Sequence, residues 1–162
     1  MNQNQISAQS APSVQKALTK HGVECAVIEL SDSTRTVSDA AAEIGCDVGQ
    51  IVKSLIYKTQ STSQPILVLV SGLNRLNERS VEHELGGEIT KANADFARDF
   101  TGFSIGGIPP VGHKKSIKLI FIDKALMEFD NVWAAAGTPN TVFNIKSTDL
   151  VAMTNGTVIS IK

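Results

Sequence analysis

The sequence predicts an α/β fold, a single domain with a mixed, mostly antiparallel central sheet flanked by short helices. Three observations carry that reading. Two β-branched, apolar runs, Ile51–Lys58 and Pro65–Ser71, lie on either side of the polar Thr59–Gln64, as an antiparallel pair with a short connection requires. Segments with helix-capping residues alternate with further strand-like runs, without internal repeats or a composition shift that would mark a linker. The 162 residues are 42% hydrophobic and 19% charged, enough for one core and unlike either a disordered chain or a coiled coil.

Met1–Ala11 is rich in Asn, Gln and Ser with one large apolar residue, Ile6, so it is expected to fray as a tail ahead of a folded domain at 12–162. Pro12 suits a first helical turn, Val14 and Leu18 share a face, and Gly22 can close in the left-handed region, which predicts a helix over Pro12–His21. A strand over Val23–Leu30 follows. Thr36 or Ser38 caps a second helix that runs through Ile44 to Gly45. Beyond the central pair, Asn77 caps a helix through Leu85 that Gly86-Gly87 stops. Ile89 falls in a brief extended piece, and Ala92–Phe100 is helical. Ile117–Asp123 reads as a strand, Lys124–Phe129 as a helical turn or two, and Val132–Ala136 and Thr141–Lys146 as strands joined by the turn cluster Gly137–Asn140. Ser147 or Thr148 caps a short helix ahead of a last strand, Thr157–Ile161.

Fifteen Lys plus Arg against sixteen Asp plus Glu leave a net charge of −1, which argues against a surface built to wrap DNA or any long duplex. A small local contact with nucleic acid stays open. The longest apolar stretches, Ile66–Val70 and Leu119–Ile122, fall far short of the ~20 residues of a membrane helix. Met1–Gln9 has neither a basic nor an apolar leader region, and Cys25 and Cys46 lack C-x-x-C spacing, so the expected setting is a reducing cytoplasm. His21, His83 and His113 sit in separate segments, and no metal site is expected. Dinucleotide, phosphate-loop and nucleophilic-serine motifs are all missing, so no cofactor is called for.

Two features remain that carry chemistry. Lys53 shares a strand face with Ile51, Leu55 and Tyr57, where an ammonium loses hydration and wants an anion, a carbonyl or several acceptors. The same pattern also fits an edge-strand lysine whose head returns to water. The segment Gly102–Gly112, GFSIGGIPPVG, has too many glycines and prolines for a regular element and too many apolar residues for a solvated linker. Glycines there let backbone N–H groups approach a ligand, an oxyanion or a ribose, although a tight crossover between strands needs the same residues. Lys114, Lys115 and Lys118 follow the loop, as phosphate contacts or as a solvated strand start.

Together these residues resemble the YbaK/prolyl-tRNA synthetase editing-domain family of aminoacyl-tRNA deacylases. Ile51-Val52-Lys53-Ser54-Leu55 looks like the family's lysine strand, Gly106-Gly107-Ile108-Pro109-Pro110-Val111-Gly112 looks like its G-G-x-x-P-x-G loop, and Arg35–Gly45 resembles the helix before the lysine strand. Ala136–Asn140 and Asp149-Leu150 resemble free-standing members. The match runs in order from about Pro12 to Lys162.

The resemblance implies a partly barrel-like sheet and a hydrolase that removes a wrongly attached amino acid, of Cys, Ala, Ser or Thr type, from a transfer RNA such as that for proline. It implies action in trans, on the aminoacyl-tRNA acceptor end, with a synthetase as a second partner. Lys53 would orient the ester or the terminal nucleotide, and backbone amides at Gly107 and Gly112 would hold the carbonyl oxygen or ribose. Arg35, Thr36, Ser54, Gly106, Ile108, Pro110 and His113 would line the substrate, and Lys114, Lys115 and Lys118 would meet RNA phosphates. No protein nucleophile, metal or cofactor is implied, because a positioned water does the chemistry. The chain departs from relatives at Pro109, where a small residue such as Ser is common, and at His113. A different outcome is a regulatory module that binds an aminoacyl or nucleotide group without turnover, and a third is hydrolysis of small esters unrelated to transfer RNA.

Overall fold

A computed structural model describes the backbone of Ile6–Ser7 and all of residues 10–162. Nine strands and five helices follow in the order β1 (Ile6–Ser7), α1 (Pro12–Lys20), β2 (Val27–Glu29), α2 (Val37–Ile44), β3 (Val52–Thr59), β4 (Pro65–Ser71), α3 (Glu78–Leu85), β5 (Ile89–Lys91), α4 (Ala94–Thr101), β6 (Leu119–Asp123), β7 (Asn131–Ala135), β8 (Thr141–Lys146), α5 (Ser147–Thr154) and β9 (Thr157–Ile159) among the described residues. Single 3₁₀ turns at Val48–Gln50 and Lys124–Glu128 precede β3 and β7.

The expected sheet divides in two. One is antiparallel, in the order β1-β2-β8-β7; the other is mixed, in the order β5-β3-β4-β6-β9, with β4-β6 and β6-β9 parallel. A lone parallel bridge between Ile51 and Trp133 connects β3 to β7, which makes the pair an open, partly barrel-like wrap. All seven residues of β4 are buried, which explains why it reads as an unbroken apolar run rather than an alternating one. Its neighbours are β3 on one side, in the register Lys53↔Val70, and β6 on the other.

Three apolar clusters layer around the sheets. The largest lies between their inner faces, where Leu67, Leu69 and Ile122 meet Val132, Phe143 and Ile145, and is closed by Val14 and Leu18 of α1 and Leu150 of α5. Val81 of α3 covers the far side of the mixed sheet with Ile66, Val68 and Val70. Ala40 and Ala41 of α2 cover the far side of the antiparallel sheet with Ile28, Leu30 and Ile51.

Local chemistry sets most boundaries. Thr36 and Asp39 form a reciprocal capping box at α2, and left-handed Gly45 ends it, so Thr36 rather than Ser38 is the cap. Within Met1–Ala11, whose residues 1–5 and 8–9 lie outside the described residues, Ile6 pairs with Glu29, and the Ala11 N–H reaches the Ala136 carbonyl at 2.9 Å. Three expectations are corrected. The strand predicted from Val23 starts only at Val27, because the Val23 N–H closes α1 onto Leu18 O at 2.9 Å. The strand predicted from Ile117 starts at Leu119. Ser147 does not cap α5; its hydroxyl donates to Phe129 O at 2.7 Å and so ties the helix to the preceding 3₁₀ turn.

Leu69 is fully buried between the two sheets. Leu69→Ala is expected to cost about 3 kcal/mol, which lowers Tm by roughly 6–12 °C for a domain of this size. Thermal unfolding measures it, and a loss below about 1 kcal/mol would mean the core refills the space.

Candidate functional site

The N-terminal half of β3 has β4 on one edge only. Ile56 O accepts from Ala92 N–H at 3.1 Å, so antiparallel alternation turns the main-chain groups of Ser54 and Val52 toward the same outer edge. There β5 has already ended, and β7 bridges only at Ile51. The gap is a cavity of about 320 Å³ between β3, β7, the start of α2 and the Gly102–Gly112 loop. Its walls are largely apolar, from Leu30, Val52, Ile108, Trp133 and Ala135, with Arg35, Thr36, Lys53 and Ser54 as polar members.

Lys53 is half-buried, and its ammonium donates to the Asn74 carbonyl oxygen. Burial holds its pKa below the usual lysine value; Asp123 opposes that shift, and the Arg75 charge adds to it. Ser54 Oγ is buried with no hydrogen-bond partner among the described residues. An unmatched hydroxyl of this kind costs about 1–3 kcal/mol until something supplies a partner. As neighbours on β3 the two side chains leave the strand on opposite faces, and both residues border the chamber at its open edge.

The loop is built rigidly rather than left open. A Cβ on Gly107 would stand 2.7 Å from the Thr138 carbonyl carbon, so glycine is what allows the loop to lie on the Gly137–Asn140 turn. The Gly107 N–H donates to Ser104 O at 3.0 Å inside the loop. That N–H is thus engaged within the loop here, and a substrate contact by the amides around Gly107 remains an expectation.

The structure separates the other predicted residues. Arg35, Thr36, Lys53, Ser54, Gly106 and Ile108 share the cavity. The Thr36 hydroxyl is engaged as the α2 cap, accepting from Asp39 N–H at 3.1 Å. Pro110, Gly112 and His113 line a different depression beside α1, and a Cβ on Gly112 would meet Ser13 at 2.8 Å. Lys114, Lys115 and Lys118 are exposed and do not line the cavity; Lys115 Nζ lies 4.9 Å from the Phe100 ring centre. Phe100 stacks on Phe96, which carries Lys58 on its other side at 5.3 Å. Cys25 is pushed up to about 11 by burial and by Asp149, and burial also raises Cys46, so both are thiols at neutral pH.

Sequence reasoning missed Trp133, Asn74 and Asp123. Trp133 alternates with buried Val132 and Ala134, a pattern that places it on the opposite face, toward the gap. Asp123, an acid ending the apolar run Leu119–Ile122, carries the signal of a cap for the turn that follows.

Against this geometry, comparison with known proteins is specific. The aminoacyl-tRNA editing domain matches residues 31–153. The chain belongs to that family. The uncharacterised protein YwhH of Bacillus subtilis is 27% identical over 141 residues, covering 87% of this chain and 88% of that one. A proline–tRNA ligase of Brachyspira hyodysenteriae is 32% identical over 93 residues, which cover 57% of this chain but only 16% of the ligase. Among solved structures, a candidate trans-editing enzyme for prolyl-tRNA synthetase superposes with a TM-score of 0.86 at 40% identity, over 94% of this chain and 98% of that chain. The hypothetical protein APE2540 gives 0.83 at 28% identity, over 92% and 98%. Two of these four carry prolyl-tRNA synthetase in their names, and β3 and the Gly102–Gly112 loop both lie within the residues that the family matches.

One pH dependence follows from the loop. His113 Nε2 lies 2.7 Å from Pro109 O, and burial outweighs that bond to hold its pKa below the ordinary 6.5. A folded-state pKa below the unfolded one means the unfolded chain binds more protons between the two. The contribution is therefore whole above about pH 6.5 and is lost as pH falls from there toward the folded value. Tm measured at about pH 7 and about pH 5 should drop further in the wild type than in His113→Gln; equal drops would place the acid sensitivity elsewhere.

Proposed function

We propose that this editing domain, read as residues 12–162 plus the paired β1, is a trans-acting deacylase that hydrolyses the ester of mischarged transfer RNA. The observation that carries the reading is a small, largely apolar chamber on the unpaired edge of the lysine-bearing strand β3, bordered by the Gly102–Gly112 loop. The 40% identity to a candidate trans-editing enzyme supports it. Water adds to the ester carbonyl carbon, the bond from that carbon to the ribose oxygen breaks, and the ribose oxygen takes up a proton. Lys53 orients the carbonyl oxygen or the terminal nucleotide, and its half-desolvated charge acts more strongly there than in bulk water. Ser54 supplies a hydrogen bond to the bound aminoacyl group. The chemistry rests on positioning, which alone can be worth several kcal/mol.

The chamber fits an amino acid of the Cys, Ala, Ser or Thr class, and the resemblance to proline ligases points to transfer RNA for proline. Apolar pockets separate neighbours differing by one methylene by only ~1–3 kcal/mol, so a graded preference is expected rather than a single substrate. Lys114, Lys115 and Lys118 meet the phosphates of the acceptor end, and a synthetase is the natural supplier of the mischarged RNA. No described helix is long and apolar enough to cross a membrane, and the work of the proposed enzyme belongs in the cytoplasm.

The test is deacylation of transfer RNAs carrying labelled Cys, Ala, Ser, Thr and Pro. Wild type should hydrolyse one or a few, Lys53→Ala should lose at least about 100-fold in rate, and its Tm should stay within about 4 °C because the side chain is only half-buried. If every ester survives while a non-hydrolysable aminoacyl-adenosine binds tightly, the domain is a binding module and the deacylase reading fails.

A further inference from the structure

The most deeply buried charge beside the site is Asp123, at the end of β6, only 2% exposed. Its Oδ1 accepts from Ala125 N–H at 2.9 Å, which is enough to start the 3₁₀ turn that follows. Its Oδ2 does something else: it accepts from Ser71 N–H at 3.0 Å and from Asn74 Nδ2 at 2.9 Å. Both donors belong to the turn that leaves β4, and the main-chain oxygen of that same Asn74 receives the Lys53 ammonium.

The turn is gripped from its other side as well. Ser71 Oγ donates to Gly49 O at 2.7 Å, and Gly72 N–H donates to Ile51 O at 2.8 Å. A Cβ on Gly72 would stand 2.3 Å from Val48 O, so no larger residue lets the turn approach the segment leading into β3. A buried carboxylate is costly and is retained where pairing fixes a geometry. Capping the 3₁₀ turn accounts for one oxygen; the other is aimed wholly at the segment that meets Lys53.

We propose that Asp123 is a positioning residue: it fixes the Ser71–Asn74 turn, and through the Asn74 carbonyl the turn holds the Lys53 ammonium at the cavity. Its relevance to catalysis rests on the reading of Lys53 given above, whereas the clamp itself does not. The charged groups around Lys53 are Asp123 and Arg75 on its own side and Arg35 across the cavity. Asp123 is the negative one, and it opposes the burial that lowers the Lys53 pKa. Removing its charge therefore moves that pKa further down.

The experiment follows Lys53 directly and catalysis separately, on the full chain with ¹³C,¹⁵N-lysine, the Lys53 signal being assigned by its loss in Lys53→Arg. Asp123→Asn should lower the Lys53 pKa below its wild-type value, because the charge that opposes the effect of burial is gone. Asn74→Ala keeps the carbonyl and the Asp123 charge but cuts the tie between them; it should fold with Tm lowered by roughly 2–12 °C, for the donor the buried carboxylate loses, while Lys53 Nζ protons exchange several-fold faster. On whichever aminoacyl-RNA the wild type hydrolyses, Asn74→Ala should lower kcat about tenfold with KM within about twofold, the split expected of lost orientation. In Asp123→Asn, the alkaline fall in kcat/KM should begin at lower pH. Should Asp123→Asn fail to fold, the half-exposed Asn74→Ala decides alone. Unchanged Lys53 exchange in Asn74→Ala overturns the clamp, whatever its activity. A wild type that hydrolyses no ester while Lys53 responds as stated overturns the deacylase reading and supports the clamp.

Discussion

The two sheets meet beside strand β3: its C-terminal end pairs with β5, the residue before it bridges Trp133 of β7, and the edge between carries no strand among the described residues. A sheet edge left unpaired normally invites association with another chain, and proteins cover or blunt it. Here the edge is covered by side chains across a gap, from α2, β7 and the proline-bearing loop, and the cover is incomplete. What is left uncovered is the cavity. The cavity thus exists because the two sheets meet at one bridge beside β3 without closing into a barrel. Closure along the whole of β3 would satisfy the edge and remove the chamber.

That geometry places two demands on the segments around β3. The Gly102–Gly112 loop must stay close to the Gly137–Asn140 turn so that Ile108 seals the main core while Ile105 and Gly106 reach the cavity. On the opposite flank, the turn after β4 must pass tightly against the segment that enters β3, which the contact of Gly72 with Val48 O permits. Both are close backbone approaches at glycine, reinforced by hydrogen bonds that take up the local N–H groups. A chamber walled by such segments holds its shape before any substrate arrives, which is the condition for fixed dipoles and charges to act at no reorganisation cost.

Much of this was legible in the amino-acid order, and the division has a physical pattern. The β3-β4 hairpin, the Thr36 cap, Gly45, Gly86 and the shaped loop were readable because each is decided by neighbours in sequence: alternation, a capping oxygen, a left-handed glycine. Lys53 and Ser54, which border the cavity, were placeable for the same reason, since they stand on that hairpin. The split into two sheets was not, because one isolated bridge, Ile51 to Trp133, decides it over a long separation in sequence. Gly107 shows the same limit from the other side. Its flexibility was evident, but whether its N–H faced substrate or Ser104 O depended on how the loop folded back. Asp123 and Asn74 lie 49 positions apart and meet only through tertiary structure, so neither spacing nor composition points to them.

The absence of an activated nucleophile from the cavity changes what its rigidity has to achieve. Cys25 and Cys46 remain protonated at neutral pH, and neither they nor any histidine lines the chamber. Under the deacylase reading proposed above, the rate would come from where groups stand rather than from what they donate or attack with, and misplacement by about 1 Å can cost on the order of 10²-fold. An exposed lysine would satisfy none of that, since its four-carbon stem samples many rotamers and its charge is screened by water. Half-burying Lys53 beside a fixed carbonyl removes both weaknesses but also favours loss of its proton. The buried charge of Asp123 acts against that loss, so that the features which fix the ammonium in place also keep it charged.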